Sequence, residues 1–330
     1  MTGICDSQSP TTRAIFRRGL LRWYDRHKRD LPWRKDRSPY HIWLSEIMLQ
    51  QTRVAAATEY YCRFLERFPT VRDLAAADIS TVLAAWSGLG YYRRARMLHA
   101  AARQIVAERA ASFPQTADEW RVLPGIGRYT AAAIASIAFG EPVAVVDGNV
   151  ERVLQRIHGR RLPSNELWSL AQSLLSRRRP GDFNQAMMDL GATVCVAGEP
   201  ACLACPLLNF CATKGRLPAS EKEIRRKRQI HYALSRRNGS VFLVQRSASA
   251  SLMPEMWELP EVGASDALAL EPSEKRLTLR HSITVTDYTV RVLQQPAPRN
   301  PKGRWVACSR LPDLALTGLA RKILKATGIM

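Results

Sequence analysis

From about residue 11 to 211 the apolar positions recur three and four apart and are interrupted at Pro or Gly, the period of helices that bury one face. The stretches 41–68 (HIWLSEIMLQQTRVAAATEYYCRFLERF), 77–88, 94–110 and 167–178 each predict an amphipathic helix packed on a shared core, and strand signals are nearly absent. From 212 to 230 the chain turns polar and strongly basic, as an exposed linker does. Beyond it, 231–237, 240–246, 281–295 and 303–309 carry the β-branched and aromatic alternation of strands, and LTGLARKILKATG (316–328) predicts a closing helix. The expected architecture is a mainly α region over 11–211, a basic linker over 212–230 and a small α+β unit over 231–330. No internal repeat or low-complexity tract interrupts this order.

Composition adds a partner. With 49 Lys+Arg against 29 Asp+Glu, the 330-residue chain carries a formal net charge of +20. Such an excess points to a polyanion, with nucleic acid first. No apolar run approaches the ~18 residues of a membrane span, and the opening MTGICDSQSP lacks the apolar centre of a signal peptide. An intracellular, cytoplasmic protein is expected, in a reducing compartment that leaves cysteines free to hold a metal.

Four cysteines suit that role. Cys195, Cys202, Cys205 and Cys211 form a C-x6-C-x2-C-x5-C run. Four thiolates this close saturate one cubane or one tetrahedral ion, with no position left for substrate. Iron-sulfur is favoured, and zinc stays open on spacing alone.

Further upstream, Thr116 stands three residues before Glu119, a capping-box pattern, and leads through a short helix to Leu123-Pro-Gly-Ile-Gly127 and a second helix. Gly125 and Gly127 permit a tight turn without side chains, which aims backbone N–H groups outward at a phosphate. Two carboxylates stand out beside it. Glu46 lies mid-helix with Ile42, Trp43 and Leu49 within a turn, an apolar setting that raises a carboxyl pKa. Asp147, in VVDGNVERVLQRI, stands at a helix N-terminus that favours negative charge. One carboxyl kept protonated and one kept charged is the glycosidase arrangement.

The hairpin, Asp147 and the cysteine quartet together resemble the helix-hairpin-helix base-excision DNA glycosylases, the group that holds endonuclease III and MutY. In the endonuclease III type a lysine follows the hairpin and attacks the sugar. Here LPGIGRYTA places Tyr129 there, and a phenol cannot form an imine. LPWR (31–34), SEIMLQQTRV (45–54) and GLGYYRRAR (88–96) extend the resemblance to the MutY-type adenine glycosylases.

That resemblance implies a monofunctional enzyme, acting as a monomer on double-stranded DNA, that removes adenine opposite 8-oxoguanine or G and carries a 4Fe-4S cluster. It implies that Glu46 protonates adenine and that Asp147, assisted by Tyr129 and Asn149, stabilises the sugar cation. Gln51, Leu89 and Tyr91 match positions that contact the duplex at the lesion, although the residues read alone place Gln51 on a helix surface and Tyr91 in an aromatic core. Trp33, Arg34 and Asp189 match segments that border the adenine pocket. The C-terminal unit resembles a Nudix-like recognition domain, clearest in SVFLVQRSASASLMPEMWELPEVG, but lacks the carboxylate box that would hold Mg²⁺. Where the family carries a Phe-Ser-His loop against 8-oxoguanine, this chain offers Arg280, His281 and Ser282. The rival readings are a bifunctional endonuclease III-like glycosylase/lyase and a non-catalytic iron-sulfur DNA-binding protein.

Overall fold

The computed structural model describes residues 9–217, 226–250, 253–263, 276–283, 286–297 and 303–330. Part of the expected linker, 218–225, and residues 251–252 of the Nudix-like stretch lie outside them. The chain divides into two compact units. One takes the described residues of 1–62, 70–72 and 100–220, the other those of 63–69, 73–99 and 221–330. Among the described residues no helix is long and apolar enough to cross a membrane.

The first unit is helical. Helix α1 (Pro10–His27) buries Phe16, Leu20 and Tyr24 against the apolar stripes of three later helices, Gly148–His158, Ser164–Leu174 and Pro180–Thr193. The expected helix over 41–68 is two, α2 (Pro39–Leu49) and α3 (Val54–Arg67). Gln51 takes φ 55°, which no right-handed helix tolerates, and the break leaves Gln50, Gln51 and Thr52 beside a cavity. The capping box forms as the sequence indicates: Thr116 Oγ1 accepts from Glu119 N at 3.3 Å and Glu119 Oε2 from Thr116 N at 3.2 Å. It starts the short helix Ala117–Arg121, and the hairpin leads to Arg128–Ala138, whose Ala131 to Ala135 are buried. That small-residue face lets Gly181 approach so closely that a Cβ there would stand 2.6 Å from the Ser136 carbonyl oxygen. The helix expected through 178 ends at Leu174, where the Arg17 guanidinium donates to the Leu174 and Ser173 carbonyls at 2.8 and 2.9 Å.

The second unit holds two sheets. In one, the order is β5 (Glu261–Val262), β1 (Arg226–Leu234), β7 (Thr286–Gln294), β6 (Arg276–Ile283); β1 and β7 run parallel and the other pairs antiparallel. The other is built on β3 (Ser240–Gln245), paired with β2 (Arg236–Arg237), β4 (Trp257–Glu258) and β8 (Gly303–Ala307). Their inner faces and the closing helix Gly318–Ala326 share a core of Leu234, Val241, Val290, Val292, Ile323 and Leu324. Strand β1 opens at Arg226, inside the stretch expected as linker, because its pairing with β7 runs on to Thr286. Residues 73–99, expected with the helical region, group with this unit: Tyr92 donates its hydroxyl to the Leu316 carbonyl at 2.7 Å, and Arg96 pairs with Glu255 at 3.1 Å.

Candidate active site

Glu46 is carried on α2 among Ile42, Trp43 and Ile47, and is only 7% exposed. Burial pushes its carboxyl up to about 7, aided by the negative charge of Asp147 and opposed by the Tyr129 hydroxyl and the Arg34 guanidinium. The Tyr129 hydroxyl donates to Glu46 Oε2 at 2.7 Å and also lies 3.3 Å from Met188 Sδ. Its own pKa is held well above the usual tyrosine value, first by desolvation and then by Glu46, so at neutral pH the phenol keeps its proton and acts as a donor.

Asp147 caps the helix Gly148–His158, and both of its oxygens are occupied: Oδ1 accepts from Val150 N at 2.7 Å and Oδ2 from Asn149 Nδ2 at 3.0 Å. Asn149 is held in turn. Arg152 Nη2 donates to Asn149 Oδ1 at 2.8 Å, which fixes the amide with its NH₂ toward Asp147, while Arg152 Nε donates to the Cys195 carbonyl at 2.8 Å. Gly191 permits this packing, since a Cβ there would meet Asn149 Cβ at 2.7 Å. A cavity of about 550 Å³ gathers Glu46, Tyr129, Asp147 and Asn149, with Trp33 and Arg34 in its wall.

Of the four catalytic candidates, Asn149 therefore stands on Asp147, whereas the Tyr129 hydroxyl stands on Glu46. Trp33, 6% exposed, packs its ring against Tyr61 with centroids 5.4 Å apart. Asp189, expected at the border of the pocket, is not in the cavity wall. It is fully buried behind it, where Arg34 binds through two nitrogens at 2.7 and 3.0 Å and Arg29 adds contacts at 2.8 and 2.6 Å. Burial alone would raise the Asp189 carboxyl, but the two guanidinium groups outweigh it and hold it below the usual range. Sequence reading missed Arg29, Arg152 and Gln185. The three-residue spacing of Asn149 and Arg152 on one helix face was a usable signal; the 160-residue separation of Arg29 and Asp189 offers none.

In the hairpin, Gly125 takes φ 75° and Gly127 is the N-cap of Arg128–Ala138, whose first turn has no side-chain cap. A Cβ at Gly127 would meet nothing within 4 Å, so its backbone faces open space. Gln51 is exposed at its left-handed turn rather than on a helix surface. In the second unit Tyr91, at φ 48°, is 45% exposed and so is not a core aromatic, while Leu89 is 8% exposed. Leu89 is therefore turned inward and does not present its side chain to a duplex as it stands.

None of Cys195, Cys202, Cys205 and Cys211 is paired in a disulfide. Burial pushes Cys205 up to about 11, with the other three thiols of the quartet raising it further, and burial raises Cys202, with Cys211 and Cys195 adding to the rise. Arg156 donates to Cys195 Sγ at 3.3 Å and the Lys214 backbone N–H to Cys211 Sγ at 3.3 Å. Among the described residues no three His, Cys, Asp or Glu side chains are gathered as ligands of a single metal ion.

Arg280, His281 and Ser282 lie on β6, at the edge of its sheet. Successive strand residues point to opposite faces. Arg280 and Ser282 are exposed, and Ser282 Oγ donates to Asp287 Oδ1 at 2.6 Å; His281 is half-buried opposite Tyr288. Burial and the charge of Lys322 lower its pKa. The three side chains therefore do not all lie on one face of the strand.

Residues 44–169, which include Glu46, the hairpin and Asp147, match the family of HhH-GPD superfamily base excision DNA repair proteins. The structure resembles that of a thermostable thymine-DNA glycosylase, with TM-score 0.58 and 30% identity over 62% of this chain and 97% of that one. An adenine DNA glycosylase of Buchnera aphidicola (subsp. Acyrthosiphon pisum) is 31% identical over 280 residues, 81% of this chain and 80% of that protein. The rat adenine DNA glycosylase is 50% identical over 217 residues, 61% of this chain. The chain belongs to the adenine DNA glycosylase family. It spans only 42% of the length of the rat relative.

Proposed function

We propose that this protein is a monofunctional DNA glycosylase that removes adenine mispaired with 8-oxoguanine, and with G, leaving an abasic site. The observation that carries the reading is Glu46: a carboxyl titrating near 7 inside a cavity whose wall also holds a hydrogen-bonded Asp147 carboxylate. Adenine is a poor anionic leaving group, and a carboxyl still partly protonated at neutral pH can deliver a proton to the base as the glycosidic bond breaks. The bonding electrons leave with the protonated base, and the cationic sugar that remains is stabilised by Asp147, oriented by Asn149 and Val150 N–H. Water then adds to the sugar. Because adenine in a duplex is stacked and paired, it must first be extruded into the cavity. Gln51, exposed on a left-handed turn beside that cavity, suits the gap the base leaves.

With Tyr129 in place of an amine nucleophile, no Schiff base forms and the strand is left uncut. Cys195, Cys202, Cys205 and Cys211 would hold a 4Fe-4S cluster. Four soft thiolate donors within 17 residues suit an iron-sulfur cubane, with zinc as the alternative that metal analysis would show. A closed cluster supplies structure, bracing the 195–211 loop against DNA phosphate. The second unit, with exposed Arg280 and Ser282, would read the opposing lesion.

The test is incubation with duplexes carrying A:8-oxoguanine, A:G or thymine glycol, with and without alkali. Strand breaks that need alkali, on the two adenine mispairs alone, are expected. Breaks without alkali, or action on thymine glycol, would replace this reading with the bifunctional one.

A further inference from the structure

A second cavity, of about 630 Å³, lies directly behind the one that holds Glu46 and Asp147. The two share Arg29, Trp33, Arg34, Ile137 and Gln185 as wall residues, so one layer of side chains separates them. Glu46, Tyr129 and Asp147 face the first cavity only. Tyr24 and Trp33, both buried, floor the second, and exposed Lys28, Asp30, Arg37 and Arg178 rim it, so it opens to solvent.

The dividing layer is unevenly fixed. Arg29 and Arg34 are pinned on Asp189, and Trp33 packs against Tyr61. Gln185 makes no side-chain hydrogen bond among the described residues and is the least held residue of the shared wall, whereas Ile137 packs against Ala132, Ala133 and Val145. An extruded adenine enters the first cavity from the duplex side. Once its bond to the sugar is cut, the abasic strand still covers that entrance, and the free base is enclosed unless the wall yields. The second cavity offers polar groups that a neutral purine binds: the exposed Asp30 carboxylate to accept from an exocyclic amine, and the exposed Arg37 and Arg178 guanidinium groups to donate to ring nitrogens.

We propose that the second cavity is a binding site for the released purine base, through which adenine reaches solvent while the abasic duplex is still bound. This rests on the adenine-removing function proposed above. It is tested in a single turnover with a duplex radiolabelled in the mispaired adenine, following label and DNA separately on a filter that retains the protein–DNA complex. In the wild type the label leaves at least about ten-fold faster than the DNA. Asp30→Trp and Arg37→Trp, two separate rim substitutions that fill the mouth, slow the label to the rate of DNA release. Label that leaves with the DNA in the wild type, or leaves at the wild-type rate from whichever Trp variants fold, overturns the proposal. If no free adenine forms on either mispair, the adenine-removing function itself falls, and the exit site with it.

Discussion

Tyr129 donates its phenolic proton to Glu46 across 2.7 Å, joining two helices 83 positions apart in the chain. A hydrogen bond to the charged form of an acid favours that form, so Tyr129 holds the Glu46 carboxyl lower than burial alone would. The rate of the chemical step is expected to fall as pH rises through about 7 and Glu46 loses its proton. Tyr129→Phe removes the donor, raises the Glu46 pKa, and moves that fall to higher pH. A single-turnover pH profile of both proteins reads the shift, and coincident profiles would remove Glu46 from the role of acid.

Glu46→Gln keeps the shape but carries no transferable proton, and its excision rate is expected to drop by about 10²–10⁴-fold while DNA binding survives. The same change stabilises the fold. A carboxyl raised from 4.5 to about 7 favours the folded state below the unfolded value, and that advantage is lost as pH rises through the folded one, a loss of about 3 kcal/mol at most. Gln does not titrate, so its stability relative to wild type should increase between about pH 4.5 and 7 and then level off. Urea unfolding at pH 5 and pH 8 measures it.

Tyr129→Lys places an amine in the catalytic cavity and is expected to gain strand-cleaving lyase activity that the wild type lacks. Borohydride trapping of a protein–DNA adduct is the readout. Equal trapping by the wild type would instead point to a lyase already present.

Because strand alternation separates the β6 residues, Arg280→Ala with Ser282→Ala should lower the ratio of excision rates on A:8-oxoguanine and A:G duplexes. His281→Ala, on the half-buried face, should lower stability and leave that ratio unchanged. A ratio moved only by the His281 substitution would reverse the assignment.

Purified protein is expected to be yellow-brown, with iron and sulfide at about four each per chain. Cys202→Ser should lose the colour and lower resistance of the 195–211 loop to proteolysis. Colourless protein holding zinc with full activity would reassign the quartet.

The amino-acid sequence by itself determined most of the local structure. Helical period over 11–211, the Thr116 capping box and Asp147 as an N-cap depend on neighbours within a few residues, and they are where the pattern puts them, whereas the stretch expected as one strand over 281–295 is the end of β6 followed by β7. It also marked Glu46 as a raised acid, because Ile42 and Trp43 lie within one turn of it. Only the tertiary structure decided the rest. The left-handed Gln51 that splits 41–68 into two helices stands beside a cavity made by distant segments, and no local period announces it. Asp189, expected at the border of the pocket, is instead the buried counterion of Arg29 and Arg34, and ion pairs across 155 to 160 residues leave no mark on spacing. Residues 73–99 read as one more helical stretch of the first unit, yet group with the second through bonds to Leu316 and Glu255. Periodicity is a property of one segment, whereas burial, a carboxyl's proton and the choice of hydrogen-bond partner depend on which segments meet.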